Sequence, residues 1–426
     1  MEIRTLDHFA RMKGINLLGT GDFTHPQYFK ELQAALEPLG NGFYRLRTEG
    51  KHHVIPAKAG IQAGSPIKTF GDDSIAENSP VHFVLSAETS HIFSVKGKTH
   101  RVHVILLAPS LEVVEKINKQ LARRGNISSD GRPIFGMHVK DIVKLTLDIS
   151  PEVMIIPAHA WTPWFSVFGS ASGFDSIEEC FEEQAKNIYA IETGLSSDPA
   201  MNWRLSKLDR ITMTSHSDAH SPAKIGREAN VLDCAMDYKE VMEVIRTGDP
   251  KRFLYTIEFF PEEGKYHFDG HRNCNIVFDP KTSKEHQYIC PKCGKKLTIG
   301  VMHRVDELAD RPEGFRPPGR IPFKSMIPLD EIIADTIGKG VNTQAVSREY
   351  EKMIQGIGPE LEILMERSPE EIGVSADPRV VEAILNVRNG QVQIEPGYDG
   401  VYGKIKVAHP TVRVVSPSSF GQNELF

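Results

Sequence analysis

Cysteine is scarce in this chain, with 5 residues in 426. That number cannot staple a fold of such length, so a disulfide scaffold is excluded and a reducing, cytoplasmic setting is expected. Long apolar runs are missing too. None approaches the roughly 18 residues that a membrane-crossing helix needs, so no membrane partner is expected. The opening residues, Met1-Glu-Ile-Arg-Thr-Leu6, carry no apolar signal-peptide core. Nor is basic charge in excess. The 50 Lys and Arg face 56 Asp and Glu, a net charge of −6. This argues against bulk electrostatic capture of nucleic acid and leaves a local basic groove open. The length suits two or three domains.

Helical and strand patterns alternate from residue 5 to about 250. Helical spacing predicts helices over 6–13, 111–123, 139–147, 176–186 and 238–246. Ser176 stands three residues before Glu179, the spacing of a capping box. Apolar, β-branched runs predict strands over 15–18, 81–85, 102–107, 153–156, 188–191 and 211–214. Such alternation implies an α/β fold with a mostly parallel sheet, open or closed into a barrel. Residues 48–80 break the rhythm with Gly, Lys, Pro and Ala and no sustained period. The stretch 50–70 is expected to be a disordered surface insertion, with a substrate lid as the alternative. After residue 260 the character changes. A cysteine-bearing module spans 261–312. A Pro-rich start, Arg316-Pro-Pro-Gly-Arg320, and helical patterns over 329–337 and 348–357 mark a mostly helical C-terminal domain over 313–406. Residues 407–426 read as a tail.

The chemistry concentrates where predicted strands end. The run Ile211-Thr-Met-Thr-Ser-His-Ser-Asp-Ala-His220 delivers a carboxylate and an imidazole two residues apart. Hard and borderline metal ions take that mixture of oxygen and nitrogen donors. One Asp-x-His is more often a plain polar loop, so the recurrence matters. Asp22 follows Leu17-Leu-Gly-Thr-Gly21, with His25 just beyond. Glu88 follows Leu85-Ser-Ala87, His159 follows Ile156-Pro-Ala158, and Glu192 follows Ile191. His103 lies within a strand of its own, where a core histidine is the competing reading. Glu192 could equally cap the next loop, and His25 could meet a phosphate or nothing. In α/β barrels the C-terminal face of the strands carries the chemistry, and several metals at one mouth suit phosphoester hydrolysis.

Gly19-Thr-Gly-Asp22, Ala87-Glu88, Pro157-Ala-His159 and Ser217-Asp-Ala-His220 resemble the motifs of PHP (polymerase and histidinol phosphatase) domains. Longer stretches are similar to endonuclease Q. These are His159-Ala-Trp-Thr-Pro-Trp-Phe165, Glu192-Thr-Gly-Leu-Ser-Ser-Asp-Pro199, Phe259-Phe-Pro-Glu-Glu-Gly-Lys-Tyr-His-Phe-Asp-Gly-His271 and Leu297-Thr-Ile-Gly-Val301. The resemblance covers roughly residues 5–47 and 80–406. It implies a PHP-type distorted β/α barrel over 1–260 whose metals are held by Asp22, His25, Glu88, His103, His159, Glu192, Asp218 and His220. Glu88, His159, Asp218 and His220 would carry catalysis. It also implies a DNA repair enzyme that nicks 5′ to uracil, hypoxanthine, xanthine or an abasic site, using Mg²⁺ or Mn²⁺, with zinc a further candidate for the barrel. PHP domains open on a strand ending in His-x-His, and none precedes Asp22 here. The barrel is therefore expected to lack its first strand and two imidazoles, with weak or no nuclease activity as it stands. A sliding clamp or another repair protein would be a natural partner.

Cys290-Pro-Lys-Cys293-Gly294, with His271-Arg-Asn-Cys274 about sixteen residues upstream, gives a His-Cys-Cys-Cys set like that of structural zinc ribbons. A redox Cys-x-x-Cys is the alternative. Cys180 and Cys234 read as ordinary thiols. Trp161, Trp164 and Phe165, directly after His159, could stack on an extruded base, with at least one ring expected in the core. Gly169-Ser-Ala-Ser-Gly173 could offer N–H groups to phosphate. Three functions compete: the lesion endonuclease, a PHP-type phosphatase of a small molecule, and a catalytically impaired DNA-binding relative.

Overall fold

The computed structural model describes residues 2–47, 80–129 and 131–407. The expected insertion at 50–70 and residues 408–426 of the expected tail lie outside the described residues. In chain order the N-terminal elements are α1 (Ile3–Lys13), β1 (Leu17–Gly19), α2 (Pro26–Ala35), β2 (Leu36–Pro38), β3 (Tyr44–Leu46), β4 (His82–Val95), β5 (Lys98–Ala108), α3 (Leu111–Leu121), β6 (Ile134–Phe135) and α4 (Val139–Ile149). Then come β7 (Met154–Pro157), α5 (Ile177–Phe181), β8 (Ala190–Glu192), α6 (Pro199–Trp203), β9 (Thr212–Thr214), β10 (Ala229–Leu232), α7 (Tyr238–Thr247) and β11 (Phe253–Glu258). The cysteine module contributes β12 (Asp269–His271), β13 (Ile276–Phe278), α8 (Pro280–Glu285) and α9 (Val301–Leu308). The rest comprises β14 (Phe323–Ser325), α10 (Leu329–Ile337), α11 (Gln344–Gly356), α12 (Glu360–Met365), α13 (Pro369–Gly373), α14 (Pro378–Arg388), β15 (Val392–Glu395) and β16 (Lys404–Val407).

Local chemistry explains the ends. In α3 the buried Val114, Ile117, Asn118 and Leu121 recur at helical spacing, and the Ser110 hydroxyl accepts from Val113 N at 3.2 Å. The predicted helix at 176–186 is a short α5 followed by a 3₁₀ turn, Glu182–Asn187, with Glu182 at φ 47°. Ser176 Oγ caps Glu179 N at 3.1 Å as expected, but the Glu179 carboxylate accepts from Asp175 N rather than Ser176 N. Only half of the capping box forms.

The expectation of a mostly parallel sheet needs correction. β4 and β5 form one long antiparallel hairpin, paired from Leu85↔Ala108 to Val95↔Lys98. It turns at Lys96 and Gly97, both at positive φ (49° and 80°), the backbone that a two-residue hairpin loop requires. Such a loop permits antiparallel pairing only. β3–β4 and β5–β7 are antiparallel as well, whereas β1–β4, β4–β6 and β8–β9 are parallel. The main sheet runs β2-β3-β4-β5-β7 with β1 and β6 on β4. β8–β9 forms a separate pair, and β10-β11-β14 a third sheet. Among the described residues these strands do not close into a barrel.

Two cores dominate. The first joins the main sheet to α1–α5 and includes Val301 and Val305 of α9, so the cysteine module's helix packs into it. The second gathers α10–α14 with β15 and β16 and recruits Met12, Ile257 and Phe260. A buried ion pair ties the two ends of the chain together. Lys13 Nζ donates to Glu360 Oε2, both residues being 3% exposed. Glu360 also accepts from Tyr350 OH at 2.7 Å and Leu329 N at 3.2 Å. Removing one partner leaves an uncompensated buried charge. Glu360→Ala should therefore lower the urea unfolding free energy by about 3–5 kcal/mol. Wild-type stability in that variant would show that the pair is not the tether.

Candidate metal centre

Three side chains meet across adjacent strands. Glu88 sits in the middle of β4 rather than at a strand end, His103 faces it from β5, and His159 follows β7. Glu88 Oε1 lies 2.8 Å from His103 Nδ1 and 3.3 Å from His159 Nε2, and the two ring nitrogens are 3.2 Å apart. One donor atom from each falls within 4.8 Å of the others. Both imidazoles are 8% exposed. Burial opposes the Glu88 charge, but His103, His159 and Arg132 outweigh it and hold the carboxyl well below its usual range. Burial likewise opposes a charged His159, and Glu88 reverses it, so that pKa is raised. For His103 burial prevails and the pKa falls. An oxygen and two imidazole nitrogens converging this closely fit a divalent ion of the zinc, manganese or iron class.

The other predicted ligands surround this core without joining it. Asp218 is half-buried and is connected to Glu88 through Arg132. Arg132 Nη2 lies 2.6 Å from Asp218 Oδ1, and its Nε lies 2.5 Å from Glu88 Oε2. Burial opposes the guanidinium's charge, and Glu88, Asp218 and, more weakly, Asp22 overcome it. Asp22 itself is exposed. Glu192 is 2% exposed and supports from below. Its Oε2 accepts from His159 N at 2.6 Å, and its Oε1 lies 3.1 Å from His216 Nδ1. His25 is the N-cap of α2, with Nδ1 accepting from Tyr28 N at 3.4 Å. His220 does not aim at the same point as Asp218. It is exposed, and Nδ1 folds back to the Asp218 carbonyl at 2.8 Å.

Three of these residues carry strained backbone. Asp22, His159 and Asp218 have φ of 39°, 31° and 41°, a left-handed region that non-glycine residues seldom enter. Gly194 makes the His159 conformation possible, because a Cβ there would stand 2.7 Å from His159 Cβ.

The aromatic loop divides its labour. Trp161 is 1% exposed, packs on Phe168 at 4.8 Å between ring centroids, and donates Nε1–H to Asn202 Oδ1 at 2.8 Å. It has no free face for a base, which corrects the stacking expectation for that residue. Phe165 is half-buried against His103, at 4.8 Å between centroids. Trp164 is 44% exposed and meets Tyr266 edge-on at 5.6 Å. The Gly173 N–H bonds Gly169 O at 2.7 Å within its own loop, so it is not open to phosphate.

In the cysteine module His271, Cys274, Cys290 and Cys293 place one donor atom each within 4.8 Å of one another. His271 Nδ1 and Cys293 Sγ are 3.6 Å apart. Donors around a tetrahedral zinc ion sit roughly 3.3–3.8 Å from each other, so the set fits. Gly294 turns the knuckle at φ 70° while its N–H donates to Cys290 O at 2.9 Å. Burial opposes a Cys290 thiolate, but the Lys292 and Cys293 N–H groups outweigh it and lower the pKa. Cys180 is buried and Cys234 half-buried, both apart from this set.

Known proteins now bear on both sites. Residues 328–391 match the family described as MJ0043 C-terminal domain. An uncharacterized protein of Methanocaldococcus jannaschii is 34% identical over 255 residues, 58% of this chain and 31% of that protein. The chain thus spans about a third of that relative's length. The uncharacterized protein YqxK of Bacillus subtilis is 28% identical over 95% of this chain and 92% of its own. Among solved structures, the lesion-specific endonuclease PfuEndoQ from Pyrococcus furiosus superposes with a TM-score of 0.78 at 28% identity, covering 96% of this chain and 90% of that one. Endonuclease Q bound to a 27-mer duplex with an abasic lesion at its active site gives 0.76 at 28% identity, covering 95% and 91%. The chain resembles endonuclease Q. The endonuclease Q likeness reaches over the carboxylate site, the cysteine module and the helical C-terminal part alike.

Sequence reasoning missed Arg132, His216 and Tyr266. His216 was findable, because His216, Asp218 and His220 recur at a spacing of two. Arg132, a single arginine in a Gly-Arg-Pro turn, gave no signal of its own. For the cysteine module the expected outcome is direct. Cys290→Ser should release about one zinc ion per chain, measured by elemental analysis, and loosen residues 265–300 in hydrogen exchange, since so small a unit leans on its metal. Unchanged zinc content would remove the His271/Cys274/Cys290/Cys293 assignment.

Proposed function

We propose that this chain is a DNA repair endonuclease that hydrolyses the phosphodiester 5′ to a deaminated base or an abasic site, using a PHP-type divalent metal site and acting in the cytoplasm. One observation carries the reading. Glu88, His103 and His159 converge, with Asp218 beside them, in a chain that aligns over 96% of its length with a lesion-specific endonuclease. Divalent ions bound there would supply hydroxide at neutral pH and neutralise charge on the attacked phosphate.

The chain's own residues have separable tasks. Glu88, His103 and His159 would hold the ions. Thr162 Oγ1, 3.0 Å from His159 Nδ1, fixes which ring nitrogen faces Glu88. Glu192 restrains the His159 backbone and His216 together. Arg227 steadies the Asp218 loop through Ser217 O at 2.9 Å. Trp164 and Tyr266 form the exposed aromatic edge, with Lys265 5.8 Å from the Tyr266 ring centroid. A base turned out of the duplex could stack there. The zinc module and the helical C-terminal part would add duplex contacts that a small-molecule phosphatase has no use for.

The test pairs two substrates. With Mn²⁺ or Mg²⁺ present, oligonucleotides carrying uracil or an abasic site should be nicked, if only slowly given the two imidazoles expected to be missing, while a simple phosphomonoester should not be turned over. Asp218→Ala should reduce nicking roughly a hundredfold or more and leave the circular dichroism melt near wild type, because Asp218 is half-exposed. Phosphomonoester turnover without nicking would replace the endonuclease reading with the phosphatase one.

The two tryptophans should behave oppositely. Trp164→Ala should cost roughly 1–3 kcal/mol of discrimination between lesion and undamaged DNA in competition binding. Trp161→Ala should instead destabilise the fold by about 3–5 kcal/mol and leave the discrimination ratio intact. A Trp164→Ala variant with full lesion preference would place base reading elsewhere.

A further inference from the structure

Arg132 is the one cation that touches both Glu88 and Asp218 among the described residues. Its fork spans them, with Nε 2.5 Å from Glu88 Oε2 and Nη2 2.6 Å from Asp218 Oδ1. Those oxygens are not incidental. Glu88 Oε1, the partner of Oε2, already faces His103 and His159. A guanidinium and a divalent ion are therefore rivals for the same two carboxylates. A planar fork also matches the geometry of phosphate oxygens, so once displaced it has a second natural partner. Arg132 lies on a turn just before the short β6. Its backbone is anchored next door, where Pro133 O accepts from Ser90 N at 3.0 Å and β6 pairs with β4, so an exchange of partners falls to the long side chain alone.

We infer that Arg132 is an exchangeable latch. It neutralises Glu88 and Asp218 before divalent ions arrive, yields both carboxylates when they bind, and is then released against the phosphate of the strand to be cut. The inference rests on the endonuclease reading for its last step only. Competition with metal stands on the two ion pairs alone.

The latch makes metal affinity and DNA engagement move in opposite directions. Calorimetric titration of the zinc-replete full chain with Mn²⁺ reads the first. Removing the competitor in Arg132→Gln should tighten Mn²⁺ binding roughly tenfold. Arg132→Lys keeps the charge but cannot span both carboxylates, and should fall between. It also serves if the glutamine variant folds poorly. Arg101→Gln controls for general charge. Arg101 lies on β5 with its guanidinium 5.9 Å from the Phe165 centroid, and its loss should change Mn²⁺ affinity by less than about twofold.

The second readout is the salt dependence of lesion-duplex binding with Mn²⁺ saturating. Its log–log slope should shrink by about one in Arg132→Gln as one phosphate contact disappears. Unchanged or weaker Mn²⁺ binding in Arg132→Gln overturns the latch, as does an equal gain in Arg101→Gln. An unchanged salt slope overturns the phosphate step. If wild type binds Mn²⁺ but cuts no lesion DNA, the endonuclease reading fails while the titration still decides the latch.

Discussion

The concentration of carboxylates at one end of the sheets is the constraint from which the site follows. Glu88, Asp218, Glu192 and Asp22 crowd one mouth, and Glu228 and Glu258 lie behind it at 3% and 0% exposure. Like charges this close cannot all persist unless cations or donors compensate them. The structure resolves the conflict by depth. At the surface, Arg132, His103 and His159 keep Glu88 ionised. Deeper, Glu258 has only hydroxyl partners, Thr193 Oγ1 at 2.8 Å and Thr256 Oγ1 at 2.5 Å, and burial pushes its pKa up to about 8. Glu228 is raised as well, by burial and by Glu258. Burial thus pushes Glu228 and Glu258 toward the neutral form, while Glu88 is held ionised, and the face around Glu88 has a demand for positive charge. Metal ligation is the chemistry that such a face supports.

Holding that face open costs backbone energy. Left-handed conformations at Asp22, His159 and Asp218 would each relax in a free peptide. They persist because neighbours over-determine them. Ser86 fixes the Asp22 turn, with Gly21 N donating to Ser86 Oγ at 2.8 Å and Phe23 N to Ser86 O at 3.2 Å. Glu192 fixes His159, and Arg227 fixes Asp218. Among the described residues up to 220, the other non-glycine positions at positive φ are Lys96 in the hairpin turn, Phe165 beside His103 and Glu182 after α5.

Much of this was legible in the sequence, and the limits have physical causes. Apolar β-branched runs located β5, β7, β8 and β9 because burial on both faces leaves no alternation to misread. The same runs could not give strand direction, so the β4–β5 hairpin was lost. Its Lys96-Gly97 turn lacks the Asn-Gly or Asp-Gly signature. Glu88 was found, but its position within a strand was not, because the polar Ser86, Glu88, Thr89 and Ser90 resemble a strand's end. Trp161 and Trp164 look alike in sequence, three residues apart. Only the packing of Phe168 and the Asn202 carbonyl shows that one belongs to the core. Arg132 was invisible for a deeper reason. Its significance lies in two carboxylates distant along the chain, and no local pattern encodes that meeting.

The cysteine module is mechanically joined to the metal centre, which explains why both belong to one polypeptide. Helix α9 starts at Val301, shortly after the Cys290–Cys293 knuckle. At its start Asp269 accepts from Gly300 N at 2.7 Å and pairs with His303 Nδ1 at 2.7 Å, fixing the module to the helix. One turn on, Arg304 reaches into the aromatic loop. Its Nε donates to Phe168 O and its Nη2 to Phe174 O, both at 3.2 Å, and it pairs with Asp175. That loop begins at His159 and carries Trp164. The module thus meets the aromatic loop through the directional bonds of Arg304 as well as through the apolar packing of Val301 and Val305. Loosening the knuckle would disturb α9, then the carbonyls that Arg304 holds, and then the exposed indole. Glu88 is held by the β4–β5 hairpin, while His103 also touches the aromatic loop, its N–H donating to Phe165 O at 3.1 Å. The four-donor cluster of His271, Cys274, Cys290 and Cys293, remote from the carboxylates, is thus coupled through α9 and Arg304 to the loop that carries Trp164.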